Sequence, residues 1–388
     1  MRIEDLVVVA LTAPYIRPHT AADYPANGVR NCVWVRLETD SGIVGWGEAY
    51  SGCYATEVTI AALQRLTRNL VGGDPLDPSA ALAEIRFRNR YWAMRGIGAQ
   101  ATSAIEAALW DIVGKVRQVP IWRLLGDGTR RPVLLYASAG DSVLEPETVL
   151  QEVQQFVQAG FQAYKIRCGG RLDDKADHLE RDAERVAAAR EALGPDRQLF
   201  VDIAVPQKSA NWDYSRAEAY MRKLAAHRVA FLEEPAMTYD VTGYRYLNSL
   251  GLVPTAGGES FCCPEEFEPF FEAGAYGVVQ PDAAVVGGPA SCVDVIRQAH
   301  HYGVPVAVHA WSGGVGLAQN IHAACSNAGV MAMEWPMSVH VLAEEPIRNI
   351  WDFRNGELQP PELPGLGVTI STELLDNYPL RPYSERDY

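Results

Sequence analysis

The sequence has 388 residues, of which 48% are hydrophobic and 21% are charged, so it predicts a globular protein with a large core and excludes a disordered chain. The formal net charge is −14 and there is no cluster of Lys or Arg, which argues against a nucleic-acid or membrane partner. Seven scattered cysteines without zinc-ligand spacing, and the absence of a long apolar run at the N-terminus, predict a cytoplasmic protein.

The first third of the sequence, residues 1–130, predicts an α+β domain. Apolar and polar residues alternate over 33–48 on both sides of a polar turn, which is typical of a β-hairpin. Apolar residues at helical spacing then predict helices over about 55–70 and 98–117.

Residues 131–350 predict a second, larger domain, because short apolar segments there alternate with amphipathic ones. Two of the helices are predicted between Pro146 and Gly160 and from Ala176 to Leu193. Strands are predicted at 133–138, 163–167, 199–203, 229–233, 254–259, 277–281, 305–309 and 331–334. Eight such units favour a (β/α)8-type TIM barrel over a doubly wound sheet, whose Gly-rich phosphate turn is absent. The fold class is therefore α/β.

The last segment, residues 351–388, lacks this alternation and is rich in Pro and Gly. It is predicted to leave the barrel and return to the N-terminal region. The two parts together would form an α+β capping domain.

Polar residues close most of the predicted barrel strands, at the end where barrel enzymes hold their catalytic groups. In chain order they are Lys165 and Arg167, Asp202, Glu233, Glu259, Asp282, His309 and Glu334. A single acid of this kind is more often a solvated loop residue or a helix cap. Three converging acids, Asp202, Glu233 and Glu259, instead predict a hard divalent cation, and oxygen ligands favour Mg2+ over Zn2+. Strand alternation predicts that Glu234 faces away from the metal.

The remaining strand-end residues predict acid–base groups. Lys165 and Arg167 are two positions apart on one strand, so both should face the pocket. His309 follows an apolar run, where a histidine is often structural, but Asp282 on the preceding strand could fix its tautomer. A His–Asp dyad opposite a lysine would suit proton transfer across a metal-bound substrate.

With these strand ends in view, the sequence resembles the enolase superfamily, specifically the mandelate racemase subgroup, over nearly its whole length. The resemblance rests on Gly45-Trp46-Gly47-Glu48, Ala108 to Ile112 with Gly114 and Lys115, Pro120 with Leu124-Leu125-Gly126, Val201-Asp202, Glu233-Glu234-Pro235, Gly257-Gly258-Glu259, Gln280-Pro281-Asp282, His309 and Pro364-Gly365-Leu366-Gly367. It implies that Asp202, Glu233 and Glu259 hold Mg2+, and that His309 and Asp282 form the dyad. Glu334 would lie near the substrate carboxylate, and the chain would form a homo-oligomer.

The chemistry implied by this resemblance is removal of the proton α to a carboxylate, which gives an enediolate. The capping domain would supply specificity loops at 14–30 and 49–56. Their polar candidates for substrate binding are Tyr15, Arg17, His19, Tyr24, Arg30 and Tyr54.

The sequence departs from the family pattern in two places. Arg167 replaces the second lysine of the usual Lys-x-Lys, and arginine stays protonated, so it cannot serve as the base. The base would be Lys165 or His309; otherwise Lys165 and Arg167 bind the substrate carboxylate. The second departure is Ala204, where the family often has Asn, followed by an insertion around 206–213.

These features favour a carbon–oxygen lyase that dehydrates a sugar acid to a 2-keto-3-deoxy acid, because dehydration needs only one base and one acid. A racemase or epimerase, which needs two opposed groups, and a sugar-lactone cycloisomerase are the alternatives within the superfamily. A non-catalytic binding relative is the alternative from another class.

Overall fold

The protein was analysed as a computed structural model that describes residues 1–17, 28–169, 178–203 and 212–381, with only the backbone of Arg17. Its N-terminal domain is built on an antiparallel sheet of β1 (Ile3–Arg17), β2 (Val29–Thr39) and β3 (Val44–Ala49). The predicted hairpin is confirmed as the β2–β3 pair, in which Trp34 lies opposite Glu48. The pairing of β1 with β2 extends this sheet by a long strand that was not predicted.

The described residues of this part of the chain also form a short 3-10 helix (Tyr50–Cys53) and four α-helices: α1 (Thr56–Thr67), α2 (Pro78–Arg88), α3 (Gly96–Arg117) and α4 (Ile121–Leu125). α3 packs directly on β3, and two glycines of the strand make this possible. A Cβ atom at Gly47 would lie 1.9 Å from the carbonyl oxygen of Ala104, and one at Gly45 would lie 2.0 Å from that of Ala108. The small residues on both elements therefore set the distance between helix and sheet.

The second domain is a closed barrel of eight parallel strands. They are β4 (Val133–Ala139), β5 (Ala163–Arg167), β6 (Gln198–Asp202), β7 (Phe231–Glu233), β8 (Thr255–Gly257), β9 (Val278–Val279), β10 (Val306–Val308) and β11 (Val330–Pro336). Each strand pairs with the next, and β11 pairs with β4, where Glu334 lies opposite Tyr136. The prediction of a (β/α)8-type barrel with eight strands at these places is confirmed.

Helices separate and follow the barrel strands: α5 (Pro146–Gln158), α6 (Leu179–Leu193), α7 (Tyr214–Leu224), α8 (Val241–Ser249), α9 (Glu268–Glu272), α10 (Pro289–Tyr302), α11 (Gly314–Ala324) and α12 (Val341–Ile347). Pro146 stands at the first turn of α5, as predicted. The predicted start of α6 at Ala176 lies outside the described residues.

Inside the barrel, one layer of buried apolar residues receives a side chain from every strand. Its members are Tyr136, Ala163, Phe200, Phe231, Ala256, Val278, Ala307 and Ala332. The aromatic rings fill one side: Phe200 stacks on Phe231 with ring centres 4.2 Å apart, and Tyr136 meets Phe200 edge-on at 5.1 Å. The small residues of the other strands leave room for these rings, so the layer is a packed floor across the barrel.

The C-terminal segment returns to both domains. β12 (Val339–His340), which precedes this segment, pairs with β1, and within the segment the hairpin β13 (Phe353–Arg354) and β14 (Glu357–Leu358) pairs with β4. The backbone N–H of Leu366 donates to Asp111 of α3 at 2.8 Å, and beyond α13 (Thr372–Asn377) Pro379 bridges to Leu11 of β1. Among the helices that the structure describes, none combines the length and apolar character needed to cross a membrane.

Candidate active site

A layer of polar residues lies directly above the apolar floor. Side chains of a strand alternate between its two faces, so a residue two positions after a floor residue points into the same interior, one layer higher. Counting two positions onward from the floor gives Ser138, Lys165, Asp202, Glu233, Gly258, Gln280, His309 and Glu334. Six of the eight positions therefore carry a basic or acidic side chain or an amide, all at the C-terminal ends of the strands.

Five of these residues, Lys165, Asp202, Glu233, His309 and Glu334, line a cavity that opens to solvent. It is lined by Tyr50, Tyr54, Lys165, Arg167, Asp202, Glu233, Glu234, Glu259, His309, Trp311 and Glu334. The structure thus brings together seven of the polar residues singled out at the strand ends, and Tyr54 from the N-terminal domain. Tyr50, Glu234 and Trp311 also face the cavity and were not predicted to do so.

Lys165 is held by two buried carboxylates. Its Nζ lies 2.7 Å from Oε1 of Glu233 and 2.7 Å from Oε1 of Glu334, and the side chain is almost fully buried. Burial alone would lower the pKa of Lys165, but the two carboxylates outweigh it and raise the pKa well above the usual value. The ammonium is therefore an ion-pair partner in this arrangement, not a neutral base.

Glu233 and Glu334 respond differently to the same lysine. Burial and the charges of Asp202 and Glu259 raise the pKa of Glu233 to about 8, despite the opposing effect of Lys165. Burial also disfavours ionised Glu334, but this acid faces two cations, Lys165 and His309, and they lower its pKa. Gln280 donates from Nε2 to Glu233 at 2.5 Å, so Glu233 is fixed between an amide and an ammonium.

The prediction for Glu234 is wrong. β7 ends at Glu233, and the next residue has a left-handed backbone with φ of 48°, so the alternation of the strand does not continue. Both carboxylates therefore line the cavity. Burial raises the pKa of Glu234 well above its usual value, and Glu259, Asp202 and Glu233 add to this effect.

Arg167 lies at the mouth of the cavity, two residues beyond Lys165. Its Nε donates to Oδ2 of Asp202 at 3.1 Å, and its guanidinium carbon lies 6.0 Å from the ring centre of Trp311. Behind it, the fully buried Arg185 donates to the backbone carbonyl of Arg167 at 3.0 Å and pairs with Asp182 at 2.9 Å. Arg185 thus holds the backbone of Arg167, and Asp202 holds its side chain.

His309 and Asp282 form a buried pair. Nδ1 of His309 lies 2.7 Å from Oδ2 of Asp282, whose other oxygen accepts from Asn320 at 2.9 Å. Nε2 faces the cavity, 3.6 Å from Glu259 and 3.5 Å from Glu334. Burial lowers the pKa of His309, but these three carboxylates raise it more strongly, to about 10. The pair matches the predicted dyad in geometry.

The loop that follows His309 is held by the N-terminal domain. The carboxylate of Glu48 on β3 accepts hydrogen bonds from the backbone N–H groups of Gly313 at 2.7 Å and Gly316 at 2.8 Å, at the start of α11. The backbone N–H of Glu48 in turn donates to Gln319 of the same helix at 2.6 Å. Glu48 is therefore a buried helix cap that joins the two domains beside the cavity.

The donor set of the cavity suits a hard cation, although its present arrangement does not cage one. In the part of the chain that the structure describes, no three His, Cys, Asp or Glu side chains are gathered closely enough to hold a metal ion as they stand. The reason is visible at Glu233, whose two oxygens face Lys165 and Gln280. Asp202, Glu234 and Glu259 share the cavity and repel one another, which is the chemistry that a divalent ion relieves.

The other predicted substrate residues are more widely spread. Tyr54 lines the cavity and its hydroxyl lies 3.1 Å from that of Tyr50. Tyr15 lies apart, edge-on to His340 at 5.6 Å between ring centres, in a second cavity that also contains Arg30. Predictions for the side chain of Arg17 and for His19 and Tyr24 lie outside the described residues.

Comparisons with known proteins agree with this architecture. Residues 5–126 match the family model "Mandelate racemase / muconate lactonizing enzyme, N-terminal domain", and residues 148–374 match "Enolase C-terminal domain-like". The chain belongs to the enolase superfamily, in the mandelate racemase subgroup. The resemblance found in the sequence is thereby confirmed, and the protein is an enzyme.

Individual members of the enolase superfamily are similar along most of the chain. A D-galactonate dehydratase of Cronobacter sakazakii is 30% identical over 353 residues, covering 88% of this chain and 89% of its own. The structure of a superfamily member from Polaromonas sp. JS666 is 26% identical, covers 98% of both chains and has a TM-score of 0.82. That of the 3,6-anhydro-D-galactonate cycloisomerase from Zobellia galactanivorans is 25% identical, covers 97% of this chain and 99% of its own, and has a TM-score of 0.83. The dehydratase names support a hydro-lyase, and the cycloisomerase fits the alternative of an isomerase.

Proposed function

We propose that the protein is a magnesium-dependent dehydratase that removes the proton α to the carboxylate of a sugar acid and releases a 2-keto-3-deoxy acid. The observation that carries this proposal is the division of roles in the cavity. Lys165 lies 2.7 Å from both Glu233 and Glu334, and Arg167 pairs with Asp202. Among the described residues, Nε2 of His309 has carboxylates no closer than 3.5 Å, and Asp282 holds Nδ1. A bound cation would offset the charge of Glu259, one of the carboxylates that raise the pKa of His309. His309 is thus the group placed for proton transfer.

Asp202, Glu233 and Glu259 would hold the magnesium ion, and Glu234, which lines the same cavity, is a further oxygen donor. When bound, the ion would offset the charges of these carboxylates, including the effect of Glu259 on His309, and stabilise negative charge on the substrate carboxylate. Lys165 and Arg167 add positive charge at the same end of the cavity and would orient that carboxylate.

The proton transfers can be assigned to one residue. His309 takes the α-proton at Nε2, while Asp282 accepts from Nδ1 and stabilises the imidazolium that forms. The same Nε2 then returns the proton to the β-hydroxyl, so the carbon–oxygen bond breaks and water leaves. The enol that remains becomes the keto acid by releasing its hydroxyl proton and taking up a proton at the neighbouring carbon. One histidine therefore suffices for an elimination.

Racemisation or cycloisomerisation is the second candidate. Lys165 approaches the cavity from a different strand than His309, and release from Glu233 and Glu334 would give a second proton-transfer group. The similarity to a cycloisomerase supports the same alternative. Both candidate reactions begin with removal of the α-proton. Dehydration then gives a keto acid, whereas the alternative gives an isomer of the substrate.

Proton exchange in D2O tests the proposal directly. The enzyme would be incubated with Mg2+ and a panel of sugar acids and lactones, while deuterium at the α-carbon and formation of a keto acid are followed. A keto acid supports dehydration, and exchange without a keto acid supports the isomerase. No reaction with any acid would contradict both and favour a non-catalytic relative.

His309→Asn provides the residue-level test, with His301→Asn, on the exposed face of α10, as the matched control. General acid–base catalysis contributes about 100- to 10,000-fold, so the first variant should lose at least that lower factor while it still binds Mg2+. The control should keep full turnover. Unchanged turnover in His309→Asn would contradict the assignment.

A further inference from the structure

A second cavity lies next to the active site. Arg30 of β2, Ser312 and His340 of β12 supply its polar lining, and Trp311 and Trp335 supply aromatic walls. Trp311 lines the catalytic cavity as well. We call this second cavity the Arg30 pocket.

Its polar groups have unused hydrogen-bonding capacity. Arg30, Ser312 and His340 are each at most 4% exposed. Within the described ranges, Nε of Arg30, Oγ of Ser312 and Nδ1 of His340 have no hydrogen-bond partner. Burial and the charge of Arg30 lower the pKa of His340 to about 3, so its ring is neutral and can donate one hydrogen bond. Three unfulfilled buried groups in one cavity point to a ligand, because burying such groups without partners is unfavourable.

The charge of the pocket indicates the kind of ligand. Arg30 uses one terminal nitrogen to donate to the carbonyl of Trp311, and no carboxylate among the described residues forms a salt bridge with its guanidinium. The charge of Arg30 counteracts the rise in the pKa of the buried Glu48, but the two oxygens of Glu48 already accept hydrogen bonds from Gly313 and Gly316. Other groups that interact electrostatically with this guanidinium are the thiol of Cys53 and the phenols of Tyr15, Tyr54 and Tyr50. The ring centre of Tyr50 lies 5.9 Å from the guanidinium carbon. A buried guanidinium that forms no salt bridge is suited to a carboxylate, which it can bind through two parallel hydrogen bonds. Glu344 also lines the pocket, but it is exposed and forms no salt bridge with Arg30.

The position of the pocket indicates where that carboxylate comes from. The ring centre of Tyr50 lies 5.9 Å from the guanidinium carbon of Arg30 and 5.9 Å from the ring centre of His309, so these two points are no more than twice this distance apart. Trp311 also touches both sides, through its carbonyl to Arg30 and through its ring to Arg167. A sugar acid with its reacting end at His309 can thus extend toward Arg30.

We propose that the Arg30 pocket binds a second carboxylate at the far end of the substrate, so that the enzyme prefers sugar diacids over sugar monoacids. This inference rests on the proposed function, since it deepens the substrate class of the same site. Arg30 supplies the charge, while Ser312 and His340 complete the hydrogen bonds to the carboxylate oxygens.

The test compares an aldarate, with a carboxylate at both ends, and the aldonate of the same configuration, in the presence of Mg2+. Affinity would be measured by calorimetry for the native enzyme and for Arg30→Gln. The native enzyme should bind the aldarate at least tenfold more tightly, and Arg30→Gln should remove this preference without changing the affinity for the aldonate. Arg36→Gln, on the same strand but paired with Glu38, is the matched control and should retain the preference.

Two further measurements keep the outcome decisive. If Arg30→Gln fails to fold, Ser312→Ala removes one hydroxyl from the pocket and should weaken aldarate binding selectively. Acetate serves as a free carboxylate probe: Arg30-dependent acetate binding that leaves the affinity for the aldarate unchanged would overturn the assignment to the substrate. Equal affinity of the native enzyme for both acids would also overturn it, as would a preference for the aldarate that survives in both Arg30→Gln and Ser312→Ala.

Failure of this inference can be told apart from failure of the proposed function. If the proposed function alone is wrong, neither acid yields a keto acid, yet tighter binding of the aldarate still depends on Arg30. If the inference alone is wrong, both acids react and Arg30→Gln has no selective effect.

Discussion

The carboxylate of Glu48 accepts a hydrogen bond from the backbone N–H of Gly313 at 2.7 Å, although the two residues lie in different domains. Gly313 comes four positions after His309 and immediately precedes α11. The N-terminal sheet therefore fixes the loop that carries Trp311, which lines both cavities. This contact couples the capping domain to the active site through a named pair of groups.

Replacement of Glu48 should affect stability and catalysis together. Glu48→Ala removes a charged acceptor from two buried N–H groups, so the free energy of unfolding should fall by about 2 kcal/mol. Turnover should fall more than tenfold, because the loop beside His309 loses its hydrogen bonds to Glu48. Glu48→Gln should have smaller effects on both quantities. Urea denaturation and turnover of both variants provide the measurement, with the exposed Glu4→Ala as control. Full activity in Glu48→Ala would contradict the coupling.

The ion pair of Lys165 with Glu334 can be measured by a double-mutant cycle. Lys165→Met leaves two carboxylates buried without their cation, and removing one partner of a buried pair costs about 3–5 kcal/mol. Glu334→Gln alone should also destabilise the fold. The double variant should be less destabilised than the sum of the single variants, as measured by chemical denaturation without added metal. Additive effects would show that the pair is not coupled.

Asp282 should act through His309 rather than on the substrate. Asp282→Asn keeps the shape of the side chain but removes the acceptor charge at Nδ1, so kcat should fall at least 100-fold while KM changes little. The affinity for Mg2+, measured by calorimetry, should remain the same. Asp294→Asn, on the exposed side of α10, is the control that should leave kcat unchanged. A fall in metal affinity with unchanged kcat would contradict this role.

His322 should make stability depend on pH. It is buried in α11, accepts from the backbone N–H of Trp122 at 3.2 Å and contacts the carbonyl of Leu366 at 3.1 Å; burial lowers its pKa to about 4. The unfolded chain, with a histidine pKa of about 6.5, binds the proton more readily, so stability is complete above that pH and is lost as the pH falls toward 4. The loss attributable to this residue should be roughly 3 kcal/mol.

Urea midpoints at several pH values measure this effect. His322→Gln should show a shallower loss of stability between pH 6.5 and 4 than the native protein, whereas His301→Gln should follow the native curve. A native-like slope in His322→Gln would assign the pH dependence to other groups.

The sequence was sufficient to predict the barrel because its signal is repeated eight times and depends on local pattern alone. The polar residues at the strand ends could be found for the same reason, since alternation places Lys165, Asp202, Glu233 and His309 on one face. The error at Glu234 shows where this reasoning stops. Alternation holds only within a strand, and the left-handed backbone after β7 is a tertiary feature.

Contacts between distant segments were the other part that the sequence did not reveal. Gln280 was noted only as part of a motif, yet counting two positions from Val278 would have placed it in the polar layer beside Glu233. Glu48 was also noted only as part of a motif, and the sequence did not reveal its partners, which lie more than 260 positions away along the chain. The Arg30 pocket likewise depends on how β2 and β12 approach the barrel.

The apolar floor of the barrel determines from which end substrate enters and product leaves. Phe200 and Phe231, stacked beneath Lys165, plug the barrel axis, so molecules cannot pass from one end of the barrel to the other. Product therefore leaves from the C-terminal end of the barrel, which is also the end where substrate enters. Accumulated product should therefore compete with substrate for the active site.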